Sequence, residues 1–337
     1  MITVKEIARL AGVSAKTAER ALSGVTKDKR RDAKERADRV RRIAAEHGYR
    51  PSELALSLRR GSSRTLGIMV DILTDQFLAA SVETAMDAAG RAGYKTSLQI
   101  VRFSPEQTAE AIKIFLSSGV DGIIGSCTSK QLPPEMMKSL LKRGFPYFSL
   151  CGRSEYEVSS VSPDYRQALD DAVRHLAERG HKKIILALFE GKKYDNQLSA
   201  EIFDSSCKKY GVVPECRIHS DCQQAAVLAA EHPDAVILYG KYSMRVYMDK
   251  CNELGKPPDT VGIFNEWTLA AALHFPLCGV ILENAEHSVR QAVSQILAEI
   301  EGLPQQHLQI PACFIPAESM GKIKVVDLAN QRFPIQE

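Results

Sequence analysis

The sequence predicts an all-helical N-terminal unit followed by an α/β body of two doubly wound parallel-sheet subdomains. Three observations carry this prediction. Residues 3–47 hold three helical patterns and no apolar run of strand character. From residue 65 onward, near-continuous apolar runs of strand length alternate with helical patterns. That alternation begins afresh after residue 160, which splits the body in two. A chain of 337 residues is long for one compact domain and accommodates this division.

The first two helices and the turn between them are written in TVKEIARLAGVSAKTAERAL. Thr3 caps the first helix, with Glu6 three residues on as its capping-box partner. Gly12 supplies a turn residue tolerant of positive φ. Ser14 caps the second helix, which turns Lys16, Thr17 and Arg20 outward and Ala18, Ala21 and Leu22 inward. Two short helices joined by a glycine-containing turn of about three residues fit a helix-turn-helix. Residues 32–47 form a third helix, with Ala33, Ala37, Val40 and Ala44 on one face and Gly48 at its end. The basic stretch 24–32 between the second and third helices reads as an exposed loop, either a phosphate contact or plain solvated surface. Residues 49–63 read as a linker with a short helical stretch over 52–58.

In the body, strands are expected over 66–72, 94–101, 119–126 and 146–151, with helices over 79–91, 105–118 and 134–142 between them. After residue 160 the helices fall at 165–179, 198–210, 223–231, 243–254 and 285–301. The strands there fall at 182–189, 234–239, 260–265 and 278–283. The domain division is 1–48, 49–63 and 64–337. Within the body, one subdomain spans about 64–161 plus the helix near 285–301. The other spans about 162–284 plus part of the C-terminal segment. Two such halves leave a cleft, and ligands of open parallel sheets bind outside the carboxyl ends of the strands.

Bulk properties narrow the function. Residues 1–60 carry a net charge of +8 and the remainder −5, within a total of +3. A basic head on an acidic body fits a polyanion bound at one end, and on charge alone a solvated helical surface fits as well. The eight cysteines form no CxxC pair and read as reduced thiols, mostly buried, so no metal or disulfide role is expected. The opening residues contain no apolar block, so neither an export signal nor a membrane span is expected. No nucleophile elbow, P-loop, GxGxxG turn or HExxH occurs, and the histidines are dispersed, so no catalytic residue, cofactor or enzyme activity is expected.

These residues resemble the lactose/galactose repressor (LacI–GalR) family over nearly the whole chain, from Thr3 to about residue 320. The most specific match is TVKEIARLAGVSAKTAERALSG, followed by the hinge-like YRPSELALSLRRGSSRTLGIMV. In the body, GVDGIIG, VSSVSPDY, LAERGHKKIILAL, DAVILYGK and TVGIFNE follow in the family's order. The resemblance implies a cytoplasmic, nucleoid-associated homodimer, without cofactor or metal, that binds double-stranded operator DNA, most often as a repressor. It implies a body like periplasmic sugar-binding proteins, with a small-molecule effector in the cleft. An exported solute-binding protein would share the body and lack the basic head. A helix-turn-helix regulator without a ligand would lack the double α/β body.

Carried over by resemblance, Ala15 and Lys16 stand where the family reads bases, and Arg20 where it places an arginine on the operator. Thr3, Ser14 and Thr17 complete this DNA-binding set, the last two suited to phosphate. Leu58 matches the leucine wedged into the minor groove, with Ala55 beside it. The effector set is Asp75, Phe77, Arg153, Asp164, Tyr165, Ser199, Lys241 and Asn265. Several of these depart from the family. Asp75-Gln76-Phe77-Leu78 stands for Asn-Pro-Phe-Phe, Ser199 for an arginine, Gly240-Lys241 for Asn-Asp, and Asn265 for an aspartate. Lys241 and Arg153 suit an anionic effector, a neutral sugar held by other residues is the alternative, and loss of sensing is the third. Glu19 adds a negative charge to the second helix. Residues 24–49 run about four longer than the family norm, and Ser52 and Leu56 replace common hinge residues.

Overall fold

A computed structural model describes residues 2–23, 31–49, 57, 60–127, 129–190, 193–255, 258–272 and 274–320. The chain forms two compact units, Met1–Arg64 and Thr65–Glu337.

The N-terminal unit is built on α1 (Val4–Ala11), α2 (Ala15–Leu22) and α3 (Arg31–Glu46). The capping box forms as its spacing predicts. The Thr3 hydroxyl accepts from Glu6 N at 3.3 Å, and the Glu6 carboxylate accepts from Thr3 N at 2.7 Å. Gly12 ends α1 at φ 60°, a left-handed value that favours glycine. Ser14 then caps α2 by accepting from Thr17 N at 3.2 Å. Ile7, Val40 and six alanines, Ala8, Ala11, Ala18, Ala21, Ala37 and Ala44, make the buried core. Small side chains let the three helices approach closely, and Arg41 Nε ties α3 to the end of α2 through the Ala21 carbonyl at 3.2 Å. Thr3→Ala removes the side-chain acceptor of the Glu6 amide in α1 and is expected to cost about 1 kcal/mol. The check is the thermal midpoint of this unit.

Among the described residues, the larger unit holds two six-stranded sheets. The strands of the first are β1 (Thr65–Val70), β2 (Lys95–Ile100), β3 (Gly122–Gly125), β4 (Tyr147–Ser149), β5 (Ser159–Asp164) and β11 (His307–Pro311). Those of the second are β6 (Lys183–Phe189), β7 (Val213–His219), β8 (Ala235–Tyr239), β9 (Asp259–Asn265), β10 (Gly279–Glu283) and β12 (Cys313–Pro316). The orders are β11-β5-β4-β3-β1-β2 and β12-β10-β9-β8-β6-β7. Every pairing is parallel except β10 with β12. β1, β3, β6, β8, β9 and β10 are the apolar runs read in the sequence, buried because helices cover both faces.

The chain passes from the first sheet to the second after β5, returns after β10, and passes again at Ala312, between β11 and β12. The helix Ala285–Ile300 follows β10 and packs Val289, Ala292, Val293 and Ile296 onto the first sheet beside Leu66, Ile68 and Phe148. Three strands carry no clear sequence pattern. β5 is rich in serine and contains Pro163, β7 alternates as a half-exposed edge, and β11 lies at the other sheet's edge and ends in Pro311. All eight cysteines are free thiols, and Cys216, on edge strand β7, is exposed against the expectation of burial.

An ion network anchors β9. Arg179 Nε and Nη2 donate to Asp259 at 2.6 and 2.9 Å, and His181 Nε2 lies 2.8 Å from the same carboxylate. The Arg179 hydrogen bonds pull the Asp259 carboxyl down to about 2. A carboxyl depressed in the folded state stabilises fully above its ordinary value of about 3.9. That stabilisation is lost as the pH falls through about 2. Because the Arg179 side chain is 46% exposed, screening limits the contribution to about 1 kcal/mol. Asp259→Asn is expected to lower the thermal midpoint of the larger unit near neutral pH and to lose its effect in strong acid.

Candidate DNA-binding surface and effector cleft

On α2, Ala18 and Ala21 face the core, and the helical period turns Lys16, Glu19 and Arg20 to solvent. Neither Lys16 nor Arg20 meets a carboxylate among the described residues. Ser14 and Thr17 hydroxyls lie 2.9 Å apart at the start of α2, so the pair is engaged in the cap while Ser14 remains exposed. Ala15 is half-buried and packs against the three-helix core. Thr3 is exposed at the start of α1. Ala55 and Leu58 lie outside the described residues, as do residues 24–30 of the basic loop.

In the larger unit, Asp75 caps the helix Gln76–Arg91. Its Oδ1 accepts from Phe77 N at 2.9 Å and Leu78 N at 3.2 Å. Its Oδ2 lies 3.1 Å from the Lys241 ammonium and accepts from the Tyr242 hydroxyl at 3.3 Å. Lys241 and Tyr242 open the helix Lys241–Glu253 after β8. The pair therefore joins an element of the first subdomain to one of the second. Phe77 and Trp267 also meet, with ring centroids 5.9 Å apart. Asn265 shapes the turn that carries Trp267, since its Oδ1 accepts from Thr268 N at 3.1 Å.

The remaining proposed effector residues make other contacts. Ser199 is buried and donates to the carbonyl of Asp195 in its own helix at 2.8 Å. Tyr165 is buried and donates to the Glu283 carboxylate. Asp164 pairs with Arg166 at 2.7 Å beside an outer groove of about 700 Å³ that also includes Asp170 and Lys209. Arg153 is exposed, and its charge acts on His307. Burial first, then that charge, hold the His307 imidazole down to about 4.

Other residues of the cleft escaped the sequence reading. Ser162 on β5 donates to Asp195 at 2.7 Å, from a helix of the second subdomain. Gly152, at φ 82°, leaves room for the Asp195 carboxylate where any side chain would collide with it. Asp71, just past β1, accepts from Gln131 at 2.6 Å and from Phe103 N at 3.0 Å, and burial raises its pKa. Lys130 and Glu190 form a further pair between the subdomains at 2.6 Å. A cavity of about 40 Å³ lies beside Phe77, Leu150, Ser162 and Glu283. It has room for water but not for a sugar.

The family model "Bacterial regulatory proteins, lacI family" matches residues 3–52. A second, "Periplasmic binding proteins and sugar binding domain of LacI family", matches 63–232, half of the chain. The chain belongs to the LacI family. A periplasmic binding protein-like model extends the match over 173–320. This is a family of regulators rather than enzymes.

Among relatives of this LacI-family chain, the HTH-type transcriptional regulator PtxS of Pseudomonas putida is 29% identical over 186 residues, covering 55% of this chain and 53% of its own length. Catabolite control protein A of Priestia megaterium is 28% identical over 184 residues, 54% of each chain. The chain thus spans about half the length of the curated relatives it matches. A structure of the lac repressor dimer bound to operator and the anti-inducer ONPF superposes with a TM-score of 0.74 at 18% identity. The superposition covers 93% of this chain and 97% of the repressor chain. At that identity the likeness concerns the fold, and it includes the helical head and both sheets of this LacI-family chain.

Proposed function

We propose that the protein is a sequence-specific operator-binding transcription regulator, acting as a repressor, whose DNA affinity responds to a small molecule held between the two subdomains. The observation that carries this reading is the outward face of α2, where Lys16 and Arg20 stand exposed and, among the described residues, without carboxylate partners at the second helix of a helix-turn-helix. Such a helix enters the major groove with its first residues toward base edges. Lys16 donates to guanine acceptors, Arg20 and Ser14 engage the operator backbone, and Ala15 offers only a methyl edge. The basic head supplies the salt-sensitive part of the affinity.

A homodimer fits the apolar side chains at two of the sheet edges. β2 and the segment after it expose Ile100 and Phe103, and edge strand β7 exposes Val213 and Ile218. Apolar side chains on open edges favour burial against a second copy. A two-fold dimer sets two α2 helices on a palindromic site. That the lac repressor dimer was solved on operator with an anti-inducer supports the same division of labour here.

Titrating purified protein onto operator-containing genomic DNA at several salt concentrations tests the proposal. Each phosphate neutralised contributes a slope of about −0.9 in log affinity against log salt. A steep slope for all duplexes, with one fragment bound well above the rest, is expected. Equal, salt-insensitive binding to every duplex would refute it.

A further inference from the structure

We infer that Asp75 is a built-in anionic ligand on which the cleft closes without any effector. Its carboxylate bridges two elements that belong to different subdomains. One oxygen stays on the amides of Phe77 and Leu78 at the start of the helix Gln76–Arg91. The other faces the Lys241 ammonium and the Tyr242 hydroxyl across the cleft. The Asp75 and Lys241 side chains are only 16% and 20% exposed, so salt screens this pair less than it screens a surface pair. An ammonium, a phenol and two amides converging on a carboxylate make the environment that a carboxylate or phosphate group of a small molecule would require. Here the protein supplies that group itself.

Neighbouring contacts share the closure. Ser162 to Asp195, Lys130 to Glu190 and Phe77 against Trp267 all join the same two subdomains. The departures from the family are complementary in charge, since an acid at 75 meets a base at 241. Two consequences follow. Lys241 is not waiting for an anionic effector. A carboxylate or phosphate monoester that binds there does so by displacing Asp75, which leaves that acid without its cation.

This latch presupposes the hinged cleft of the proposed function. Its test reads the cleft alone, so operator binding stands or falls separately. The chain contains a single tryptophan, and Trp267 packs on Phe77 across the cleft, so its emission reports closure in the full-length protein. In wild type without added ligand, Trp267 emission is expected to be blue-shifted and poorly quenched by acrylamide. Asp75→Asn keeps a good helix cap and removes the charge, and Lys241→Met removes the cation without touching the cap. Both are expected to shift the emission to the red and raise quenching. In Asp75→Ala, sodium acetate or inorganic phosphate is expected to reverse that change, and in Asp75→Ala/Lys241→Met neither anion is. Circular dichroism identifies a variant that has unfolded, and Lys241→Met then decides. Wild-type emission and quenching in folded Asp75→Asn and Lys241→Met would overturn the latch, and so would an Asp75→Ala protein indifferent to both anions.

Discussion

Ile7→Ala is expected to unfold the N-terminal unit and abolish operator binding while leaving the larger unit folded. Ile7 is fully buried, and apart from Val40 the other buried residues of that core are alanines. The larger side chains packed around it, such as Leu22, Ile43 and Tyr49, are only partly buried. Truncating a buried isoleucine to alanine costs about 2–5 kcal/mol. A unit this small has little stability to spare. The chain divides after Arg64, so the damage is confined to the head. Circular dichroism should show the helical signal of the head lost and the main thermal transition unmoved. A variant that binds operator like wild type would show that the head is not the DNA-binding unit.

Lys16→Ala is expected to weaken specific binding by about 1–3 kcal/mol and to relax sequence preference at the contacted position. The reason lies in its placement. Lys16 is the second residue of α2, exposed, and free of carboxylate partners among the described residues. Removing a cation that touched only phosphate would instead weaken all duplexes alike and flatten the salt slope by about 1. Competition between operator and scrambled duplex separates the two outcomes. Unchanged discrimination with a flatter slope would reassign Lys16 to the backbone.

Legibility followed the range of the interactions. Thr3, Glu6, Gly12 and Ser14 act on amides within a turn or two, so the head could be read almost residue by residue. β1, β3, β6, β8, β9 and β10 could be read because strands covered on both faces must be apolar throughout. β5, β7 and β11 could not, because serine, proline and edge exposure erase that pattern. The outward face of α2 follows from helical period alone. The cleft does not, because its partners lie far apart in the chain. Asp75 and Lys241 came out of the sequence as separate ligand residues, and the fold makes them partners of each other. Ser199 stood in the effector set, yet its hydroxyl turns back onto its own helix, a habit of buried helical serines. Ser162, within the VSSVSPDY landmark, and Asp195 carried no sign of partnership in the sequence, and only the fold brings them together.

Selection of genomic fragments by the purified full-length protein, followed by footprinting, shows whether the helical head reads DNA sequence. Recovery of a small set of sites with two-fold symmetric protection is expected, bound by wild type, weakened in Lys16→Ala and lost from Ile7→Ala. Recovery of no fragment above random duplex, with and without sugars, sugar acids and sugar phosphates present, would contradict it.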